Sequence, residues 1–187
     1  MLIKKLAVVF VPFFFAAAAL VGNSAEVSGA GEPDLQRGLS ILHAVSQAAI
    51  KVSDLADTSA KSDLVKQYAR TVSSGNAKFD AQLMLVAQKQ GIKVLPLDPK
   101  TEAGKSLSDR LKAEAAMLRS LKGDAFDKQY MTLVTNTQQS IVNLANARVA
   151  SATDPDVKVL FTDLKTVIET RLTTAQEILA KVYGDDI

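Results

Sequence analysis

Residues 124–182 read DAFDKQYMTLVTNTQQSIVNLANARVASATDPDVKVLFTDLKTVIETRLTTAQEILAKV. Hydrophobic residues recur in this stretch at intervals of mostly three or four, which is the spacing of one face of an α-helix. The pattern predicts two long helices, 124–152 and 156–182. Between them, Asp154 can accept hydrogen bonds from the first N–H groups of the second helix, and Pro155 suits its first position because proline has no N–H. The stretch therefore predicts a helical hairpin.

A second hairpin is predicted upstream of the first. Residues 34–57 show helical periodicity, and a further helix is predicted over 62–90, with Ser62 as a candidate N-cap and Gly91 as its stop. Gly75 lies in the middle of this second helix, where glycine costs about 1 kcal/mol relative to alanine. Its presence predicts close packing or a slight kink at that point.

The two hairpins are joined by a connection that reads as extended. Within residues 92–99, Pro96 and Pro99 each disfavour helical backbone in the residue before them. Asp98 and Pro99 then repeat the combination of cap and proline, and they predict a short helix that ends near Leu121. Two hairpins joined by a long connection predict an all-α fold, a four-helix bundle with one crossover that contains an extra short helix.

The N-terminus has the pattern of a secretory signal. Lys4 and Lys5 precede an apolar run over 6–21, which is short for a membrane-spanning helix and typical of a signal peptide. We expect cleavage after about residue 25, and an uncleaved N-terminal anchor is the alternative. The predicted segments are a signal peptide at 1–25, a flexible lead-in at 26–33, the helical bundle at 34–183 and a tail at 184–187.

Composition and charge limit the kinds of site and of partner that the mature protein can have. The chain contains no cysteine, which excludes disulfides and thiolate metal sites. Its formal net charge is +2, and residues 1–25 contain two lysines and no acid, so cleavage leaves a net charge of 0. A neutral domain gives no electrostatic reason to bind nucleic acid. We expect a periplasmic or secreted protein with no transmembrane span after cleavage, whose partner is an unknown envelope protein or another copy of itself.

The sequence lacks the residues that most catalytic sites need. A ferritin-type di-iron site takes glutamates and Glu-x-x-His motifs from four helices, but the chain has one histidine, His43, and no glutamate within 34–90 or 124–152. A packed or hydrogen-bonded role for His43 is favoured over a ligand role. Any Ser-His-acid set would also need His43, and no Gly-x-Ser-x-Gly or Gly-x-Gly-x-x-Gly motif is present. We therefore predict no catalytic residue, metal or cofactor.

Four polar residues fall on or beside the apolar faces of the long helices, near the middle of each: Ser46, Asn76, Thr137 and Arg171. In one interpretation, Arg171 extends to the surface and the small polar groups satisfy each other or a buried water. In the other, the four form a polar core pocket in which Arg171 binds a small anion or carboxylate, because a buried guanidinium needs a counter-charge.

Three motifs carry a resemblance to a known family: the run AFDKQY at 125–130, the turn DPDVK at 154–158, and Gly91-Ile92 followed by the proline crossover. Over about residues 35–182 the chain resembles the bacterial ferritin-like domain family of unknown function often labelled "predicted outer membrane protein". The resemblance implies a ferritin-like bundle in the cell envelope, with association with the outer membrane as one location. Where the family pattern has two Asp-His pairs and a Glu-His pair, this chain has Ser74-Gly75, Asn136-Thr137 and Thr170-Arg171.

These observations predict a non-catalytic periplasmic or envelope helical-bundle protein with an interaction or stress-associated role. The alternative is a bundle that binds a small anion or other small ligand in a polar core pocket around Arg171. A ferritin-type metal-dependent oxidase ranks third, because a fold alone does not establish a chemistry.

Overall fold

The computed structural model describes residues 32–98 and 100–184, and within these ranges the chain is all-helical with no strand. The helices are α1 (Glu32–Ser59), α2 (Asp63–Lys89), α3 (Glu102–Ser120), α4 (Gly123–Ser151) and α5 (Pro155–Tyr183). The predicted all-α class is confirmed. None of these helices has both the length and the hydropathy that a membrane span requires. The predicted signal peptide at 1–25 lies outside the described residues, as do most of the predicted lead-in and tail.

The four long helices form two pairs. α1 packs along α2 and α4 packs along α5, and the short turns between partners make each pair antiparallel. The pairs meet mainly through α2 and α5, whereas α1 and α4 contact each other less. α3 covers the gap on the α1–α4 side, where its Leu107 and Leu118 are buried. The extended connection before α3 therefore carries the chain from one pair to the other.

The start of α3 differs from the prediction. Asp98 and Pro99 were expected to begin the helix, but Thr101 is the N-cap, and its Oγ1 accepts a hydrogen bond from the Gly104 N–H at 3.1 Å. The Asp98 side chain instead accepts from the Lys100 N–H at 2.9 Å. A Cβ on Gly104 would lie 2.2 Å from the Asp98 carbonyl oxygen. Asp98 thus forms a turn that folds back over the first turn of α3, and the predicted start at Asp98 was wrong.

The start of α2 is capped by a distant residue. Ser62 occupies the N-cap position, as predicted, but its side chain makes no capping hydrogen bond. The carboxylate of Asp127 in α4 accepts instead from the backbone N–H groups of Lys61, at 2.9 Å, and Ser62, at 2.7 Å. Asp127 is 0% exposed. One hairpin therefore supplies the cap for a helix of the other.

The start of α5 follows the local prediction. Asp154 is its N-cap, Oδ1 of Asp154 accepts from the Val157 N–H at 2.9 Å, and Pro155 is the first helical residue. Gln90, at the end of α2, also donates through Nε2 to Oδ2 of Asp154 at 2.9 Å. This second contact ties the turn of one hairpin to the end of the other.

The hydrophobic core is divided into two clusters. The first cluster is built around Leu39, Leu42, Leu83, Val157, Leu160, Phe161 and Leu164. The second cluster is built around Val65, Tyr68, Leu118, Phe126, Tyr130, Met131 and Ala175. Buried polar side chains, Asn76, Gln138 and Arg171 among them, lie near the middle of their helices. The candidate functional residues are therefore found where the apolar core is interrupted.

Candidate functional site

Arg171 lies against a gap in the surface of α2. Its residue exposure is only 8%. A Cβ built on Gly75 would lie 1.5 Å from Nη2 of Arg171 and 2.6 Å from its Cζ. The guanidinium therefore occupies the space that a side chain at position 75 would need. The close packing predicted for Gly75 is present, and its partner is the charged end of Arg171.

No acid neutralises Arg171 in the part of the chain that the structure describes. Its side chain takes part in no ion pair or hydrogen bond there. Burial lowers the pKa of Arg171, and the nearby hydroxyls of Tyr68 and Tyr130 oppose that shift. An arginine side chain nevertheless stays protonated in proteins. The result is a largely buried cation without an acidic partner among the described residues.

A hydrogen-bond network joins the helices around this cation. The Tyr68 hydroxyl donates to the backbone carbonyl of Arg171 at 3.0 Å and accepts from Nε2 of Gln138 at 2.7 Å. Burial raises the pKa of Tyr68 to about 12, so its hydroxyl is neutral at physiological pH. Tyr130 and Ser53 share a second buried hydrogen bond of 3.0 Å. These bonds connect α2 to α4 and α5, and α1 to α4.

The structure brings two of the four predicted pocket residues together. Asn76 and Thr137 line one cavity of about 60 Å³. Each donates at 2.8 Å to the carbonyl oxygen four residues earlier in its own helix. Ser46 is buried on α1 but does not line this cavity, and neither does Arg171. Arg171 thus belongs to a separate place, the seam between α2 and α5 beside Gly75.

Glu114 reaches the same cavity and was not singled out from the sequence. Burial raises the pKa of Glu114, and Arg110 in the same helix lowers it by less, with its Nε 3.9 Å from Oε1 of Glu114. The spacing of Leu107, Leu111, Glu114 and Leu118 could have located it. Intervals of four, three and four residues place Glu114 within the apolar stripe of α3.

His43 is held by a hydrogen-bonded pair of side chains. Its Nδ1 lies 2.7 Å from Oδ1 of Asp80, while Nε2 of Gln47 donates to Oδ2 of Asp80 at 2.8 Å. The packed or hydrogen-bonded role favoured for His43 matches this arrangement. In residues 32–98 and 100–184, no three histidine or acidic side chains are grouped so that they could hold a metal ion.

The polar residues near the middle of the long helices do not fit a di-iron centre. Asn76, Thr137 and Gln138 offer amides and a hydroxyl to the cavity, and Glu114 offers one carboxylate. Iron in ferritin-like proteins is held by several carboxylates together with histidines from facing helices. The donor set that the described residues place around this cavity therefore does not support iron chemistry there.

Comparisons with known proteins give a family and a fold. A family model described as "Domain of unknown function (DUF4142)" matches residues 21–178. No curated protein matches the chain. Among solved structures, a predicted secreted protein, DUF305, from Streptomyces coelicolor is similar, with a TM-score of 0.63 and 18% sequence identity over 80% of this chain and 92% of that chain. At that identity, the likeness shows a shared fold alone.

Proposed function

The chain belongs to the DUF4142 family of domains of unknown function, and on that premise we propose that the mature protein is an exported, non-catalytic helical bundle that binds a small anion at Arg171. The protein is located in the periplasm or the cell envelope, and its fold is a ferritin-like four-helix bundle with one crossover. The signal pattern at residues 1–25 supports export. The pairing of the long helices supports the bundle.

The environment of Arg171 is the observation that carries this proposal. A buried guanidinium is costly unless a counter-charge and hydrogen-bond acceptors satisfy it. Arg171 has neither in the described part of the chain, and its nitrogens keep some contact with solvent, through which an anion can approach. The missing side chain of Gly75 leaves room for the guanidinium at the seam between α2 and α5. A carboxylate or a phosphate supplies both the negative charge and the acceptors. Two of its oxygens can accept the two parallel N–H bonds of a guanidinium.

Thermal unfolding of the mature protein tests this function. Acetate, bicarbonate and phosphate are titrated at constant ionic strength against chloride, which separates binding from general salt effects. We expect one of these anions to raise Tm saturably, by about 5 to 10 °C at a hundred times its Kd. Arg171→Met should abolish the response, with unliganded stability equal to or higher than that of the parent. Arg70→Met, which changes a 59% exposed arginine, is the control and should keep the response.

A second variant removes the gap and keeps the charge. Gly75→Ala places a methyl group where the guanidinium lies, and that flexible end must move. The helix itself gains about 1 kcal/mol from the substitution. We expect a folded protein that no longer responds to the anion. A parent that no anion stabilises, or an Arg171→Met variant that responds as the parent does, would show that Arg171 is not an anion site.

A further inference from the structure

The cavity of about 60 Å³ lies where the two core clusters fail to meet. Val45, Ile141 and Ile168 of the first cluster form part of its wall, and Val72 and Val134 of the second cluster form another part. Protein cores normally leave few voids larger than a water molecule. A partly open pocket of this size at the junction of two clusters is therefore a specific feature of this fold.

Small side chains and the position of α3 keep this space open. Ala48 and Ala49 of α1 line the cavity, and α1 contacts α4 less than it contacts α2. α3 closes the gap from outside with Leu111 and Glu114. A second cavity of about 30 Å³ shares Leu111, Glu114 and Thr137 with the first. The open space thus continues along α3, whose Leu111 and Glu114 form one wall of both pockets.

The walls favour an uncharged and mostly apolar occupant. Nδ2 of Asn76 and the hydroxyl of Thr137 each donate one hydrogen bond within their own helices, and Gln138 bonds to Tyr68. The carboxylate of Glu114 accepts no hydrogen bond within the described part of the chain, since its nearest cation lies 3.9 Å away. The carboxylate of Glu114 thus faces a mostly apolar space, in which the amide oxygen of Asn76 and the hydroxyl oxygen of Thr137 are weaker, uncharged acceptors.

We propose that this cavity is a second binding site, which takes a small neutral molecule with an apolar body and one hydroxyl group that donates to Glu114. An apolar cavity of about 150 Å³ holds benzene, so the occupant of this smaller space is a short aliphatic alcohol rather than an aromatic ring. The site is independent of the proposed anion function, because Arg171 does not line the cavity.

Xenon NMR on the folded mature protein tests the site, with 1-propanol as the competing probe. We expect xenon to bind the parent and 1-propanol to displace it saturably. Ala49→Leu fills the cavity and should abolish both effects, whereas Ala81→Leu makes the same change at an exposed position of α2 and should alter neither. Glu114→Met should leave xenon binding intact. It should weaken the affinity for 1-propanol by up to about tenfold, which corresponds to the loss of one hydrogen bond.

Overpacking by Ala49→Leu could unfold the bundle, so Ala48→Val provides a milder test. It should weaken xenon binding while helical circular dichroism is unchanged. Xenon binding equal in the parent and Ala49→Leu, or absent in the parent, would overturn the site. Competition by 1-propanol that Glu114→Met leaves unchanged would overturn the role of Glu114. Stabilisation by anions is measured on the same variants and should persist in Ala49→Leu, so the two proposals can fail separately.

Discussion

The turn between α1 and α2 and the turn between α4 and α5 each present the N-terminus of a long helix, and a carboxylate caps each of them. At the α4–α5 turn the carboxylate is Asp154, the residue just before the helix, and its partner is the Val157 N–H. At the α1–α2 turn it is Asp127, 65 residues from Ser62 along the chain. One cap forms within its own turn, and the other can form only after the two hairpins meet.

The difference assigns different roles to the two carboxylates. Asp127 is fully buried and joins the two hairpins, so its loss leaves two backbone N–H groups at the start of α2 without their acceptor. Asp154 stabilises mainly its own helix, with a further bond from Gln90. We therefore expect the α1–α2 end to be much more sensitive to substitution than the α4–α5 end.

The largest expected effect is that of Asp127→Ala. Two partly buried backbone N–H groups lose a charged acceptor, and the predicted loss of unfolding free energy is about 3 to 5 kcal/mol. Urea unfolding followed by circular dichroism measures it. Asp127→Asn retains one acceptor oxygen and should lose less. Asp124→Ala is the matched control, because Asp124 is an exposed acid of the same helix turn. Equal losses for Asp124→Ala and Asp127→Ala would refute the buried cap.

Tyr130→Phe probes the same end with a smaller change. It removes the buried bond to Ser53 and should cost about 1 kcal/mol. Burial raises the pKa of Tyr130 above its ordinary 10.0, so the neutral hydroxyl stabilises the fold below pH 10 and that contribution is lost as pH rises further. The parent should therefore lose more stability than Tyr130→Phe between pH 9 and pH 11. Parallel pH profiles would contradict this role.

At the other end, Asp154→Ala should lower Tm by about 2 to 4 °C and leave helical circular dichroism intact. The hydrogen bond from the Val157 N–H lowers the pKa of Asp154 below its ordinary 3.8. Its stabilisation is therefore present above that pH and is lost as the pH falls further. Thermal melts from pH 7 to pH 2 should show that the difference in Tm between parent and variant disappears at low pH. A drop in Tm as large as that of Asp127→Ala would remove the contrast between the two ends.

The smallest effects are expected for exposed ion pairs, one at each end. Lys61 and Asp124 are 2.8 Å apart, and Lys89 and Asp156 are 3.1 Å apart. Solvent screens such pairs, and many contribute nothing measurable. Lys61→Met and Lys89→Met should therefore leave Tm almost unchanged. A marked loss for either would mean that surface charge, and not the buried cap, distinguishes the ends.

The structure also explains the run at 125–130, one of the motifs that carry the resemblance to a family. In the run at 125–130, Phe126 and Tyr130 are buried and stacked, with ring centroids 6.4 Å apart. Asp127 lies between them in sequence and supplies the cap of α2. The run thus combines core packing with the contact between hairpins, which the sequence alone did not reveal.

The candidate site was only partly predictable. Arg171 and Gly75 were each singled out, because an arginine on an apolar stripe and a glycine within a helix are local anomalies. Only the packing of α2 against α5 shows that the guanidinium of Arg171 fills the space beside Gly75. Glu114 was missed because the sequence marks its stripe but gives no sign of the cavity beneath α3.

The sequence by itself determined the helices, their approximate ends, the Asp154 cap and the absence of a ferritin-type ligand set. These follow from periodicity, local backbone chemistry and residue identity, which do not depend on distant parts of the chain. The tertiary structure alone decided that Asp127 caps α2, that Gly75 accommodates Arg171 and that the core splits around a cavity. Each of these depends on how side chains from different helices fill shared space, and that packing is settled only when the hairpins meet.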